Sequence, residues 1–275
     1  MAPLDIHIPT PTIVAMIAVI AVLLGFTAVV SILLMRKYEM NLSSIILGFL
    51  MYVVFDTILL SLFDSFLLSE TSLALKDLIY STAWSYTLYF AFINALFYTA
   101  GFNVVLRVAM NSDTGVGSGI AVGIGTGISY VVLGVVIPLI NNVTAALEIN
   151  KIGASEFLAK AEESNRQTVI DAIEALRNSS ASDFLLSGYV KLMMFVILLS
   201  AATILYLAVT RRSPFRNLYV VLGMMILIFA PPALFTFGTI TNPLLLQALM
   251  TVGAACFVIV AVRHVLKYGS NPLRH

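Results

Sequence analysis

Apolar residues along this chain come in long unbroken runs, with polar residues gathered between them. Seven runs, at about 11–35, 42–64, 83–106, 116–140, 185–209, 217–238 and 243–265, reach the roughly 20 residues that an α-helix needs to cross about 30 Å of hydrocarbon. The pattern predicts an all-α polytopic membrane helical bundle of about seven transmembrane helices. The first run follows the nearly uncharged "MAPLDIHIPTP" with no basic segment before it, and so reads as a retained span and not a cleaved signal peptide. The whole chain, 1–275, is expected to form a single integral membrane domain.

Lysine and arginine set the orientation. Arg36 and Lys37 follow the first run, Arg107 the third, and Arg211, Arg212 and Arg216 the fifth, while Arg263, Lys267 and Arg274 end the seventh. With seven crossings all of these fall on one side. The other side receives Asp5, the "LSETSLALKD" loop and the long segment 141–184, in which acids outnumber bases. This places the chain in the cell membrane with the N-terminus outside and the C-terminus in the cytoplasm.

One polar stretch stands apart, "EINKIGASEFLAKAEESNRQTVIDAIEALRNSSASDF" at 148–184. Ser155 is a candidate helix cap, and Phe157, Leu158, Ala161, Val169, Ile170, Ile173 and Leu176 recur at near-helical spacing. The 141–184 loop is thus expected to carry one extracytoplasmic amphipathic helix, lying on the bundle or at the lipid surface. A solvated connector is the alternative.

Composition narrows the chemistry. The chain is 60% hydrophobic and 11% charged, with a formal net charge of +1. Nothing calls for nucleic acid. The single cysteine, Cys256, lies within the seventh run and excludes an intrachain disulfide and any cysteine-based metal site.

Within the fourth run, "GSGIAVGIGTGISYVVLG" (117–134) places glycine at 119, 123 and 127, in step with Gly115. Gly117, Ala121, Gly125 and Ser129 form a second small stripe. Residues four apart share a helix face, so both stripes let neighbouring backbones come close. Close packing alone explains this, while a functional reading has bare backbone lining a cavity. The third run is the expected neighbour.

Three segments in order, "AFINALFYTAGFNVVLR" (91–107), "AVGIGTGISYVVLG" (121–134) and "PLINNVTAALEINKIG" (138–153), resemble the core of the YhfC family of predicted intramembrane endopeptidases, relatives of the CAAX prenyl endopeptidases. The resemblance covers roughly residues 90–240 and implies a helical bundle with a glutamate-based site inside it. The glycine frame Gly123, Gly125 and Gly127 and the "INN" containing Asn141 and Asn142 are retained. The reacting groups are not. Aligned through Phe102, Leu106 and Arg107, the family's paired glutamates fall on Asn94 and Ala95 and its arginine on Tyr98. Its histidine falls on Thr126 and the following glutamate on Tyr130. A later glycine-glycine-x-glutamate-arginine element matches "SGYVK", with Gly188 kept, Val190 for the glutamate and Lys191 for the arginine. The family's late histidine and aspartate have no counterpart in "LIFAPPALF". The resemblance therefore implies a degenerate member with a vestigial site.

The remaining ionisable groups agree with that reading. Peptide hydrolysis needs an activated water, hence a carboxylate or imidazole beside it, often with a metal. Only Asp56, Lys191 near the outer end of the fifth run and, nearer an end, Asp64 lie well inside runs, and His7, His264 and His275 lie near termini or a run's end. No pair has metal-ligand spacing on one helix face, and neither a metal nor a cofactor is expected. Asp56 must face the bundle interior and find hydroxyls, water or Lys191, or be protonated. Asn94, Asn103, Asn141 and Asn142 read first as interhelical hydrogen-bond donors and acceptors. Pro138 and Pro231-Pro232 are expected to kink or break the fourth and sixth runs. "RRSPFR" reads as a positive-inside anchor, or as a lipid headgroup site.

Three functions remain. The first is a non-catalytic pseudo-protease that holds a membrane helix, a lipidated peptide or a partner subunit in the bilayer. The second is an endopeptidase with an altered site using Asp56 and Asn94. The third is a transporter or permeation subunit, for which the inverted repeats such proteins carry are not visible.

Overall fold

The computed structural model describes residues 6–38, 40–68, 73–110, 115–210 and 212–269. Asp5, Arg211, Arg274 and His275 lie outside them, as does part of the "LSETSLALKD" loop. Seven helices are long and apolar enough to cross a membrane: Thr10–Tyr38, Leu42–Leu67, Ala83–Ala109, Val116–Ile152, Ala181–Val209, Asn217–Thr236 and Pro243–Tyr268, spans one to seven below. The described residues contain no strand. The protein is an all-α, multi-pass membrane bundle. Spans four and five are the most enclosed, with 67% and 78% of their most apolar windows buried, against 44% or less in the others.

The chain sorts into two compact units, Met1–Phe26 with Val131–Leu192, and Thr27–Tyr130 with Met193–His275. In the first, Asn150 near the end of span four clamps the entering chain. Its amide nitrogen donates to the Ile8 carbonyl at 2.8 Å, and its oxygen accepts from the Ile8 N–H at 2.7 Å. Ile8 is fully buried as a result. Span four ends at Gly153, whose φ of 86° suits glycine. The same glycine caps the next helix, Ala154–Ala159, so Ser155 is not the cap.

The polar stretch that follows is not one amphipathic helix but several short ones: Ala154–Ala159, a 3-10 turn at Glu163–Asn165, and Arg166–Asn178. The apolar positions still do what their spacing implies, because Leu158, Ile173 and Leu176 are buried. Lys160 donates to Glu148 at 2.7 Å. That bond pushes the Lys160 ammonium above its ordinary value, though so exposed a pair contributes little to stability. Span five opens with a capping box: the Ser180 N–H and hydroxyl donate to Asp183, and the Asp183 N–H donates to the Ser180 hydroxyl.

In the second unit, span four's glycines meet spans two and five and, at Gly117, Tyr38 at the end of span one; their nearest atoms do not come from span three, the neighbour expected from the sequence. Gly119 and Gly127 lie beneath the rings of Tyr206 and Phe195, and a Cβ on Gly123 would fall 2.8 Å from the Leu199 Cα. On the other stripe, Gly125 abuts the Ile45 carbonyl of span two, and Gly48 of span two abuts the Val122 carbonyl of span four. Each of these two helices thus offers a glycine to the other's backbone. Span three packs instead along span six, through Phe90 and Tyr98 against Phe229.

Neither proline site breaks its helix. Pro138 follows a π-helical turn, Val132–Val136, in which the Ile137 N–H reaches the Val132 carbonyl. This wider turn carries span four past the point where proline removes a donor. Pro231 and Pro232 sit inside Asn217–Thr236, which continues through both.

Candidate functional site

Span two carries the feature that shapes the site. Tyr52–Leu60 is a nine-residue π-helix, a conformation that is rare and frequent at functional sites. At its entry the Tyr52 N–H is shared between the carbonyls of Gly48 and Phe49. Both carbonyls also accept from span four: the Thr126 hydroxyl lies 3.0 Å from the Gly48 oxygen, and the Ser129 hydroxyl 3.2 Å from the Phe49 oxygen. The same hydroxyls reach Val122 and Gly125 on their own helix at 2.9 and 3.0 Å. Where the backbone pairing of span two loosens, span four supplies the missing donors.

Asp56 lies in the middle of this π-segment, half-buried. Its carboxylate takes hydrogen bonds from the hydroxyls of Tyr52 on the same helix and Tyr98 on span three. Tyr130 of span four joins the group, its ring edge-on to Tyr52 at 5.9 Å and 87°. Tyr52 and Tyr98 are 6% and 2% exposed. An intramembrane carboxylate is costly unless paired; here phenol hydroxyls from two helices do the pairing. Tyr52 carries no signal in the sequence reading. Its place four residues before Asp56, one helical turn away, is the only one available.

Tyr98, Tyr130, Thr126 and Asn94 therefore stand on helices that meet around span two or flank it, but they do not do one job. Asn94, 8% exposed, donates 2.8 Å to the Phe90 carbonyl of its own helix. Ala95 is fully buried and offers only a methyl group. Gly123, Gly125 and Gly127 are packing contacts.

Lys191 is elsewhere, in the first unit. It lines a cavity of about 350 Å3 with Asn142, Pro138, Ser187, Gly188 and Asp183. Asn142 is half-buried and Asn141 exposed. The "INN" and "SGYVK" segments, distant in sequence, thus contribute to one cavity.

The family model described as YhfC intramembrane metalloprotease matches residues 20–250. The chain belongs to the YhfC family. No curated protein and no solved structure gives a significant match. The YhfC description implies a metal, so the donors must be tested against one. At the positions where the family resemblance puts reacting groups, the side chains are an amide, a methyl, two phenols, a hydroxyl, an isopropyl group and, at Lys191, an ammonium. Thr126 already bridges two carbonyls, and among the described residues no three of His, Cys, Asp and Glu are grouped to hold an ion. These residues do not fit a metal.

His264, near the end of span seven, is held by Asn217 at 2.9 Å and by the Val260 carbonyl at 2.8 Å. Both of its ring nitrogens are engaged.

Proposed function

We propose that this YhfC member is non-catalytic and uses the family bundle to hold a hydrophobic membrane partner: a helix, a lipidated peptide or another subunit. The observation that carries the reading is that three of the groups at the reacting positions are engaged with backbone carbonyls or with Asp56. Thr126 bonds to Gly48 and Val122, Asn94 to Phe90, and Tyr98 to Asp56. A hydrolase needs at least two groups directed at a substrate carbonyl and a water. The decisive experiment incubates the purified protein in vesicles with model membrane peptides, with and without added zinc. No cleavage is expected in either case.

The arrangement belongs in the cell membrane with the N-terminus outside. Arg36, Lys37, Arg107, Arg212, Arg216, Arg263 and Lys267 all lie within or just beyond the C-terminal ends of odd-numbered spans, which supports a cytoplasmic location for those ends.

Asp56 favours one second reading, an intramembrane endopeptidase with an altered site, because its carboxylate sits where three tyrosine-bearing helices meet. Cleavage abolished by Asp56→Asn, with the fold intact, would establish that reading in place of ours.

A further inference from the structure

A second cavity, of about 340 Å3, opens in the other unit between the ends of spans one and seven. Its floor is Ile120 of span four and the face of span five that carries Ser200 and Thr203. Those two hydroxyls donate to Val196 and Leu199 on their own helix, both at 2.9 Å. What the slot presents is therefore hydrocarbon. Along span seven its wall runs from Val258 to Leu266, eight residues at 1.5 Å each, or about 12 Å. That is less than half of the roughly 30 Å hydrocarbon core, so the slot serves one leaflet.

The mouth is basic. Lys37 lines it, with its ammonium 5.3 Å from the centre of the Tyr38 ring. Lys267, next to Leu266, stands in the same way 5.1 Å from Tyr268, and Arg36 and Arg263 lie close by in sequence at the same ends of their spans. Among the described residues, the acids of this unit are Asp56, Asp64 and Asp77. They lie in span two and the helix after it, beyond the start of span two that adjoins this end. Among the described residues nothing at the mouth offsets the lysines; Glu39, which follows Tyr38 in sequence, lies outside them.

Shape separates the occupants. A 12 Å length of helix about 10 Å across displaces on the order of 900 Å3, more than twice the slot. A single alkyl chain suits the volume.

We infer that this slot binds an anionic phospholipid, with one acyl chain between spans one, five and seven and its phosphate at Lys37. The test is native mass spectrometry of the purified protein exchanged with phosphatidylglycerol or with phosphatidylcholine of the same chain length. Wild type should retain phosphatidylglycerol about fivefold or more over phosphatidylcholine, the factor that ~1 kcal/mol per basic side chain near a membrane surface gives.

Lys37→Glu, at an exposed position, should abolish the preference. Val262→Trp, which fills the slot from a half-exposed position, should lower retention of both lipids. Equal retention of the two lipids by wild type, or a preference untouched by both variants, overturns the assignment. So does retention of a lipid-modified peptide in place of either phospholipid. None of these side chains touches the Asp56 cluster, so the result stands apart from whether membrane peptides are cleaved.

Discussion

The Thr126 hydroxyl of span four stands 3.0 Å from the Gly48 carbonyl oxygen of span two, at the turn where span two changes from α to π geometry. In a family described as intramembrane metalloproteases, the residue that aligns with the family's histidine thus fastens two helices together. Thr126→Val removes the donor while keeping the shape. The expected loss is about 0.6 kcal/mol and no more than roughly 1.7, the range measured for interhelical hydrogen bonds in a bilayer. Unfolding in mixed detergent measures it, and an unchanged midpoint would count against the fastening role.

The glycine contacts give a sharper contrast. A methyl group on Gly125 runs into the Ile45 carbonyl, which is backbone and cannot rotate away. Gly125→Ala should therefore prevent stable folding or cost several times as much as Thr126→Val. Gly223 has nothing within 4 Å, and Gly223→Ala should gain about 0.5–1 kcal/mol from helix propensity alone. Equal behaviour of the two variants would show that the span two to span four contact is not close.

Asp56 and Tyr98 should be energetically coupled. In a double-mutant cycle of Asp56→Asn with Tyr98→Phe, a coupling within about 0.5–3 kcal/mol is expected for residues that share a hydrogen bond. Additivity would mean that the carboxylate is satisfied by other groups.

Topology is checked by labelling. Cys256 is exposed and must first be replaced by alanine. On that background, Glu163→Cys should label from outside and Arg212→Cys only from the cytoplasm. Labelling of both from one side would sink the proposed orientation.

The bundle was readable from the sequence because span length and apolarity are set by the bilayer, and the seven observed helices contain nearly all of each predicted run. The glycine frame was readable as a close-packing surface but not in its partner. Ser44 and Gly48, four apart and fully buried in span two, repeat the small-residue spacing of span four, and their match was the available signal. That Asp56 needs a partner or a proton followed from the cost of a bare carboxylate. That the hydroxyls belong to Tyr52 and Tyr98 did not, because a π-helix shifts side chains off the 3.6-residue period on which such a reading depends. At Pro138 the helix is not broken, because the adjacent π-turn absorbs what an α-helix could not. In the polar stretch, the helical spacing of apolar residues survives two interruptions, so periodicity alone suggested one helix where there are several.

The π-segment also sets the phase of span two. Before it, Ile45 and Gly48 face span four; after it, Phe63 lies 5.5 Å from Phe97 and Asp64 accepts from Tyr89 at 2.6 Å, both on span three. Each residue added to or removed from a helix turns everything beyond it by about 100°. One deletion between Tyr52 and Leu60 would leave Gly48 in place and swing Phe63 and Asp64 off span three, so the residue count between these points is under as tight a constraint as any side chain in the cluster.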